Sequence, residues 1–175
     1  MRDNQQVSLD LDELRDCIWV AGLFDGDGCV SMYRHDDKKG YHIRVVEAVW
    51  TCSSEPGARR VSDYLKRNGV KHIYRTQPKR GENLRAIRRV VVNNFRPISR
   101  LCDLIWEELT IKRGEFSAMM QYVDDALDHL DRRIPWSWED RQASFDRAQA
   151  KLHAIREAYL RDYTRYSARV IYPDR

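Results

Sequence analysis

The period of apolar and polar residues changes several times along the chain, and each change marks an element. Leu11, Leu14, Ile18, Ala21 and Gly22 recur at spacings of three and four, the helical period. With Ser8 placed to cap and Asp10 and Asp12 suited to a first turn, they predict a helix over 9–25. Asp25-Gly26-Asp27-Gly28 is expected to break it, the glycines being free to take positive φ. The period then drops to two. Residues 29–34 and 41–50 read as strands joined by the polar turn HDDKKG. A helix over 56–68, closed by Asn68-Gly69, precedes a second hairpin, 72–77 and 84–93, built around PKRGEN. Helices over 97–109 and from 112 towards 130 follow. After the break Ile134-Pro135-Trp136, Ser137 is placed to cap a last helix over 138–163, and the tail is expected to be partly extended.

The order α-ββ-α-ββ-α-α-α predicts an α+β fold, an antiparallel sheet with helices on one face and the other face free. With no repeat and no linker, residues 1–175 are expected to form one domain, with a core of about 10–130 and a C-terminal helix and basic tail over 131–175.

Composition narrows the class. An apolar share of 42% is that of a folded chain, and the absence of any run of about 18 apolar residues argues against a membrane span. The polar, acidic start lacks the features of a signal peptide, so the chain is expected to stay in the compartment where it is made. The 24 Arg against 7 Lys point to a prokaryotic cytoplasm, with an organelle left open as the alternative. Cys17, Cys29, Cys52 and Cys102 form no CxxC pair and are expected to be buried free thiols.

Charge changes the picture more. Residues 71–100 carry nine Lys/Arg against Glu82 alone, a local +8, whereas 101–150 sum to −5. Such a concentration on one hairpin is the footprint of a polyanion-binding face. The residues expected on that face are His42 and Arg44 in the first hairpin, with Ile43, Val45 and Val49 turned to the core; in the preceding strand Cys29, Ser31, Tyr33 and His35 share one face and Val30, Met32 and Arg34 the other. In the second hairpin they are Arg75, Gln77 and Lys79 on one strand and Arg85 and Arg89 on the other, with Arg88 competing for that face, Arg suiting guanine and Gln adenine. Arg161, Arg165 and Arg169, interleaved with Tyr159, Tyr163, Tyr166 and Tyr172, are expected to add flanking phosphate contacts.

The chemistry concentrates in Val20-Ala21-Gly22-Leu23-Phe24-Asp25-Gly26-Asp27-Gly28. Gly22 and Gly26 are four apart, so one helix face is free of bulk and another helix can approach it. Two carboxylates brought together by such packing repel unless cations sit between them, and oxygen ligands suit Mg²⁺. A calcium loop starting at Asp25 does not fit, since its sixth and twelfth positions are Val30 and Asp36 rather than Gly and Glu.

The nonamer resembles the motif that names the LAGLIDADG family, in its single-motif homodimeric branch of homing endonucleases. The resemblance implies a saddle-shaped four-stranded sheet that contacts DNA, with Tyr33 and His35 favoured by its groove-facing register. It also implies Mg²⁺-dependent cleavage of both strands of a long, pseudo-palindromic site of the intron or intein homing type; Mn²⁺ or Ca²⁺ would occupy the same sites. On that resemblance Asp27 is the catalytic, metal-binding carboxylate and the Gly26 carbonyl a second ligand. Ala21, Gly22 and Asp25 belong to the dimer interface, and Lys112, with Arg113 as its neighbouring runner-up, reaches the active site. Thr51, Ser53 and Ser54 are the candidates for the polar residue that positions water. With one motif per chain, the catalytic centre is expected to be shared between two chains. The partners are then double-stranded DNA and a second copy, with no membrane and no small-molecule substrate. The alternative is an RNA maturase or a catalytically inactive DNA-binding relative of the same fold.

Overall fold

A computed structural model describes residues 3–36, 42–78 and 86–171, with side chains described over 11–35, 43–78 and 86–162. Helix α1 spans Asp3–Asp27. It carries apolar residues on two sides: Val20, Ala21 and Phe24 are fully buried, while Leu11, Leu14 and Ile18 are about half exposed. The helix ends within the expected segment 25–28 but later than 25: α1 runs through both aspartates, and β1, Gly28–Asp36, begins on the next residue with no loop between them. Among the described residues the glycine with positive φ is Gly69, at 66°. Gly28 is required for another reason. A Cβ there would lie 2.3 Å from the Phe24 carbonyl oxygen and 2.5 Å from the Phe24 ring, so close approach, not φ, excludes a side chain.

β1 pairs antiparallel with β2, His42–Cys52, and β2 with β4, Ile87–Asn93, which pairs in turn with β3, Ile73–Gln77. The sheet order is β1-β2-β4-β3, all antiparallel. Between the hairpins lies α2, Glu55–Arg67. Ser54 caps it by accepting from the Gly57 N–H at 3.2 Å, and Asn68-Gly69 closes it, with the Gly69 N–H donating to the Lys66 carbonyl at 3.0 Å. After β4 come α3, Phe95–Ile105, and a 3-10 turn, Trp106–Glu108.

Trp50 fixes which sheet face meets the helices. Its ring is fully buried, lies edge-on to Phe24 at 4.8 Å, and donates from Nε1 to the Val20 carbonyl at 3.1 Å. Val46, Ala48 and Cys52, at even spacing from Trp50, are buried with it, as are Val30, Met32, Val90 and Val92 by pairing. Truncating such a ring costs about 3–5 kcal/mol. The expected register of β2 is thereby inverted: Ile43, Val45, Glu47, Val49 and Thr51 lie on the opposite face, Ile43 exposed and Val49 buried. β2 is apolar on both faces, and a shift of one residue exchanges them.

The chain divides into two compact units, Met1–Arg113 and Gly114–Arg175. The second is a helical hairpin of α4, Arg113–Arg132, and α5, Trp138–Ile171. Glu115 on α4 is paired with Arg156 on α5 at 2.8 Å, and Tyr122 packs edge-on to Phe145 at 5.2 Å. At the turn, Ser137 accepts from the Asp140 N–H at 3.0 Å, capping α5 as expected, and Trp136 stacks on His129 at 4.8 Å. The tail, expected to be partly extended, is instead helical as far as Ile171. Among the described residues no helix is long and apolar enough to cross a membrane.

Candidate functional site

The last turn of α1 sends its two aspartates in different directions. Asp27, the final helical residue, is exposed, as is Gly26 beside it. Burial first, and then the Asp27 charge, pushes the Cys52 thiol up, so the Asp27 carboxylate lies in the field of the β2 end. Asp25 is 8% exposed and turned inward. Its Oδ2 accepts from the Thr110 N–H at 2.8 Å and the Thr110 hydroxyl at 2.7 Å, and its Oδ1 accepts from the Lys112 N–H at 2.7 Å. Burial alone would raise its pKa; these donors outweigh burial and hold the carboxyl below its ordinary range. Lys112 is half-buried in the short segment between the 3-10 turn and α4, and Asp25 ties that segment to the helix turn that bears Asp27.

Arg113 is committed to structure. Its Nη2 donates to the carbonyls of Trp106 and Glu107, both at 2.8 Å, and the guanidinium lies 5.4 Å from the Trp106 ring. Of the water-positioning candidates, Ser54 caps α2 and the Ser53 carbonyl accepts from Arg88 at 3.2 Å. Thr51 is exposed on the sheet face away from the helices.

The three residues assigned to a helix–helix contact separate. Ala21 is buried within the protomer and Asp25 is engaged as described, whereas Gly22 is exposed. A Cβ on either Gly22 or Gly26 would meet open space. With Leu11, Leu14 and Ile18, these glycines form an open stripe along α1.

The pairing register sorts the basic residues. Tyr33 and His35 of β1, Arg75 and Gln77 of β3, and Arg89 of β4 all project on the face away from the helices. That face also carries Ile87 and Glu47, and its centre holds the buried cross-strand pair Val49 and Val91. Burial, then the neighbouring Glu47 carboxylate, which its phenol hydrogen-bonds, pushes the Tyr33 pKa up. Arg44 falls on the helix side, opposite Arg34, and His42 takes the same parity in the backbone register, with its side chain outside the described residues. Arg88 also turns to the helix side, where it donates to the Ser53 and Ala86 carbonyls and pairs with Glu55 at 3.3 Å. These three were expected on the DNA face; β2 reverses the parity expected of it, and on β4 Arg88 alternates with Arg89, which lies on the open face. Lys79 and Arg85 lie outside the described residues. So do the side chains of Tyr163, Arg165, Tyr166, Arg169 and Tyr172; Tyr159 and Arg161 are exposed. The four cysteines form no disulfide, as expected, but of them Cys52 is buried, Cys17 and Cys102 are half-buried, and Cys29 is exposed on the sheet face.

Among the described residues no three His, Cys, Asp or Glu side chains cluster as a metal site would require. In the last turn of α1, Asp27 is the exposed carboxylate and Asp25 the buried one, and Asp27 stands beside the exposed backbone of Gly26.

The same fold occurs in solved structures. The homing endonuclease I-CvuI, in complex with the I-CreI target and Mg, aligns over 83% of this chain and 93% of its own at TM-score 0.60 and 13% identity. I-Vdi141I, an archaeal intron-encoded homing endonuclease complexed with DNA, aligns over 85% of this chain and 99% of its own at TM-score 0.52 and 13% identity. No curated protein sequence matches. The family model described as a LAGLIDADG-like domain matches residues 17–105, which is 89 of the 175 residues, and the chain belongs to that family.

Proposed function

We propose that the protein is a homodimeric homing endonuclease that hydrolyses both strands of a long, pseudo-palindromic DNA site with a divalent metal, Mg²⁺ by preference. The observation that carries this is the end of α1: one exposed carboxylate, Asp27, follows directly on a helix face kept open by Gly22 and Gly26. One chain provides one such carboxylate, and two α1 helices packed along their open stripes would set two side by side. The donors then fit hard cations, with Asp27 of each chain and the Gly26 carbonyl as oxygen ligands and DNA phosphate completing the shell. Bound metal would activate water and stabilise charge on the phosphate oxygens.

The protein's own groups do the rest. Lys112 would place its ammonium against the scissile phosphate and favour the charge that builds there. The face bearing Tyr33, His35, Arg75, Gln77 and Arg89 would lie in the major groove, a twisted ribbon presenting alternate side chains to base edges. Both I-CvuI and I-Vdi141I were solved bound to DNA, and the present chain spans nearly their whole length.

Incubation with a plasmid library carrying randomised sites, with Mg²⁺ and without, tests the proposal. The wild-type protein is expected to cut a defined site and Asp27→Asn to bind that site without cutting. Binding of duplex DNA by both proteins with no cleavage by either would assign an inactive relative instead; preferential binding of a folded RNA would favour the maturase reading.

A further inference from the structure

We infer that Asp25 is a positioning residue, whose carboxylate holds the segment 110–112 so that Lys112 is presented at the same end of α1 as Asp27; the inference rests on the endonuclease reading, in which Lys112 acts on the phosphate. The two oxygens of Asp25 receive donors from this one segment: the Thr110 N–H and hydroxyl on Oδ2, and the Lys112 N–H on Oδ1. The Ile111 N–H adds to the same field. Three successive amides converge on one anion, the arrangement by which a turn of backbone grips a negative charge. The carboxylate is nearly withdrawn from solvent, so its hold on the segment is little weakened by water.

This geometry excludes two other roles. With both oxygens engaged and 8% exposure, Asp25 cannot join Asp27 as a metal ligand without releasing the segment. Turned inward, it also cannot contribute its charge to a surface between two chains. What it does span is sequence: the residues it joins are 85 and 87 positions apart, on either side of the whole sheet. The flanks of the segment are separately fixed, Leu109 by burial and Arg113 by the Trp106 and Glu107 carbonyls. The Asp25 bridge sets the remaining freedom between them, that of the residues that aim Lys112.

The test uses the full-length protein, the site it cuts, and Asp25→Asn, which keeps size but turns one acceptor into a donor facing an N–H. Single-turnover cleavage is expected to fall at least about 30-fold, with DNA Kd within about threefold of wild type. Asp25→Asn in a Lys112→Met background is expected to add less than about threefold, because the first substitution acts through the second residue. Trypsin cleavage at Lys112 and Arg113, mapped by mass spectrometry on the DNA-free protein, should be faster in Asp25→Asn. Wild-type rates of cleavage, full additivity with Lys112→Met, or unchanged trypsin cleavage would each overturn the inference. If the wild-type protein cuts no DNA, the endonuclease reading fails, and the trypsin comparison still decides whether Asp25 holds the segment. Should Asn at position 25 prevent folding, Thr110→Val, which removes the hydroxyl donor to Oδ2, carries the test with an expected loss of about three- to tenfold.

Discussion

Asp25, at the end of α1, has both oxygens engaged by donors 85 and 87 residues away, whereas Tyr33, Arg75 and Gln77 on the open sheet face are solvent-exposed. Both regions bear on the same proposed reaction, but they are built differently. Around the helix end, burial and charge-assisted hydrogen bonds fix the backbone in advance, so little ordering is left for the moment of reaction. On the sheet, the backbone is fixed by pairing while the side-chain ends reach solvent, and each long side chain ordered on DNA costs about 0.5–1.5 kcal/mol. Chemistry tolerates little misplacement. Recognition spread over many side chains tolerates more, and each contact then contributes modestly.

The largest expected effect falls at the pre-built end. Asp27→Asn should reduce the cleavage rate on the order of 10³-fold, since the carboxylate is the metal's charged ligand. Binding measured by gel shift should change by less than about threefold, because Asp27 is exposed and closes the helix without holding it. A parallel loss of affinity would place Asp27 in recognition and erase the contrast.

Next comes Gly22→Leu. A side chain at 22 meets open space in the protomer, and leucine is the better helix former, so monomer stability should rise by up to about 1 kcal/mol. Association through the open stripe should fall on the order of 100-fold, because a bulky residue forces the helices apart. Analytical ultracentrifugation and thermal melting read the two opposite signs together. Unchanged self-association would move the interface elsewhere.

Arg88 and Arg89 sharpen the contrast within one strand. Arg89 pairs across Thr51 and Arg75 on the open face, and Arg89→Ala should lower DNA affinity by about 1–3 kcal/mol and leave melting unchanged. Arg88→Ala should do the reverse, costing about 1 kcal/mol of stability through the Ser53 and Ala86 carbonyls while affinity holds within about threefold. Equal effects on binding would mean that strand parity does not sort the basic residues.

That pair also shows how far the sequence could be read. The element order, the α+β class and the motif helix followed from apolar periodicity and nine residues. In β1 the face of Tyr33 and His35 was legible because Cys29, Ser31, Tyr33 and His35 share one parity and the apolar Val30 and Met32 the other. β2 offered no such asymmetry: Ile43, Val45 and Val49 compete with Val46, Ala48 and Trp50. The available signals were Glu47, which sits awkwardly on a buried face, and Trp50, whose bulk needs the α1 contact. On β4 alternation put Arg89 with Arg85, but the competing claim of Arg88 could be decided only through the partners on β2 and β3. The bond from Asp25 to the segment 110–112 was illegible for a different reason, since it closes 85 residues of intervening chain and carries no local pattern.

The smallest expected effect is on acid stability, and it separates two aspartates. The Asp25 carboxyl is held below its ordinary value of 3.8 by the 110–112 donors against burial, and Asp16 is likewise lowered, against burial, by Arg60 and Arg67. A carboxyl whose folded pKa is depressed stabilises the fold fully above its unfolded pKa and loses that contribution as pH falls through the folded value. The melting difference between wild type and Asp25→Asn should therefore be constant from pH 7 to about 5 and shrink below about 4. Added salt should barely change the Asp25 difference, because its partners are neutral N–H and O–H groups in a buried setting. For Asp16→Asn the same pH dependence is expected, but 0.5 M salt should reduce the difference, since Arg60 and Arg67 are about half exposed. A strong salt dependence at Asp25 would mean that it answers charges rather than the backbone it grips, and the pre-built end of the comparison would lose its defining feature.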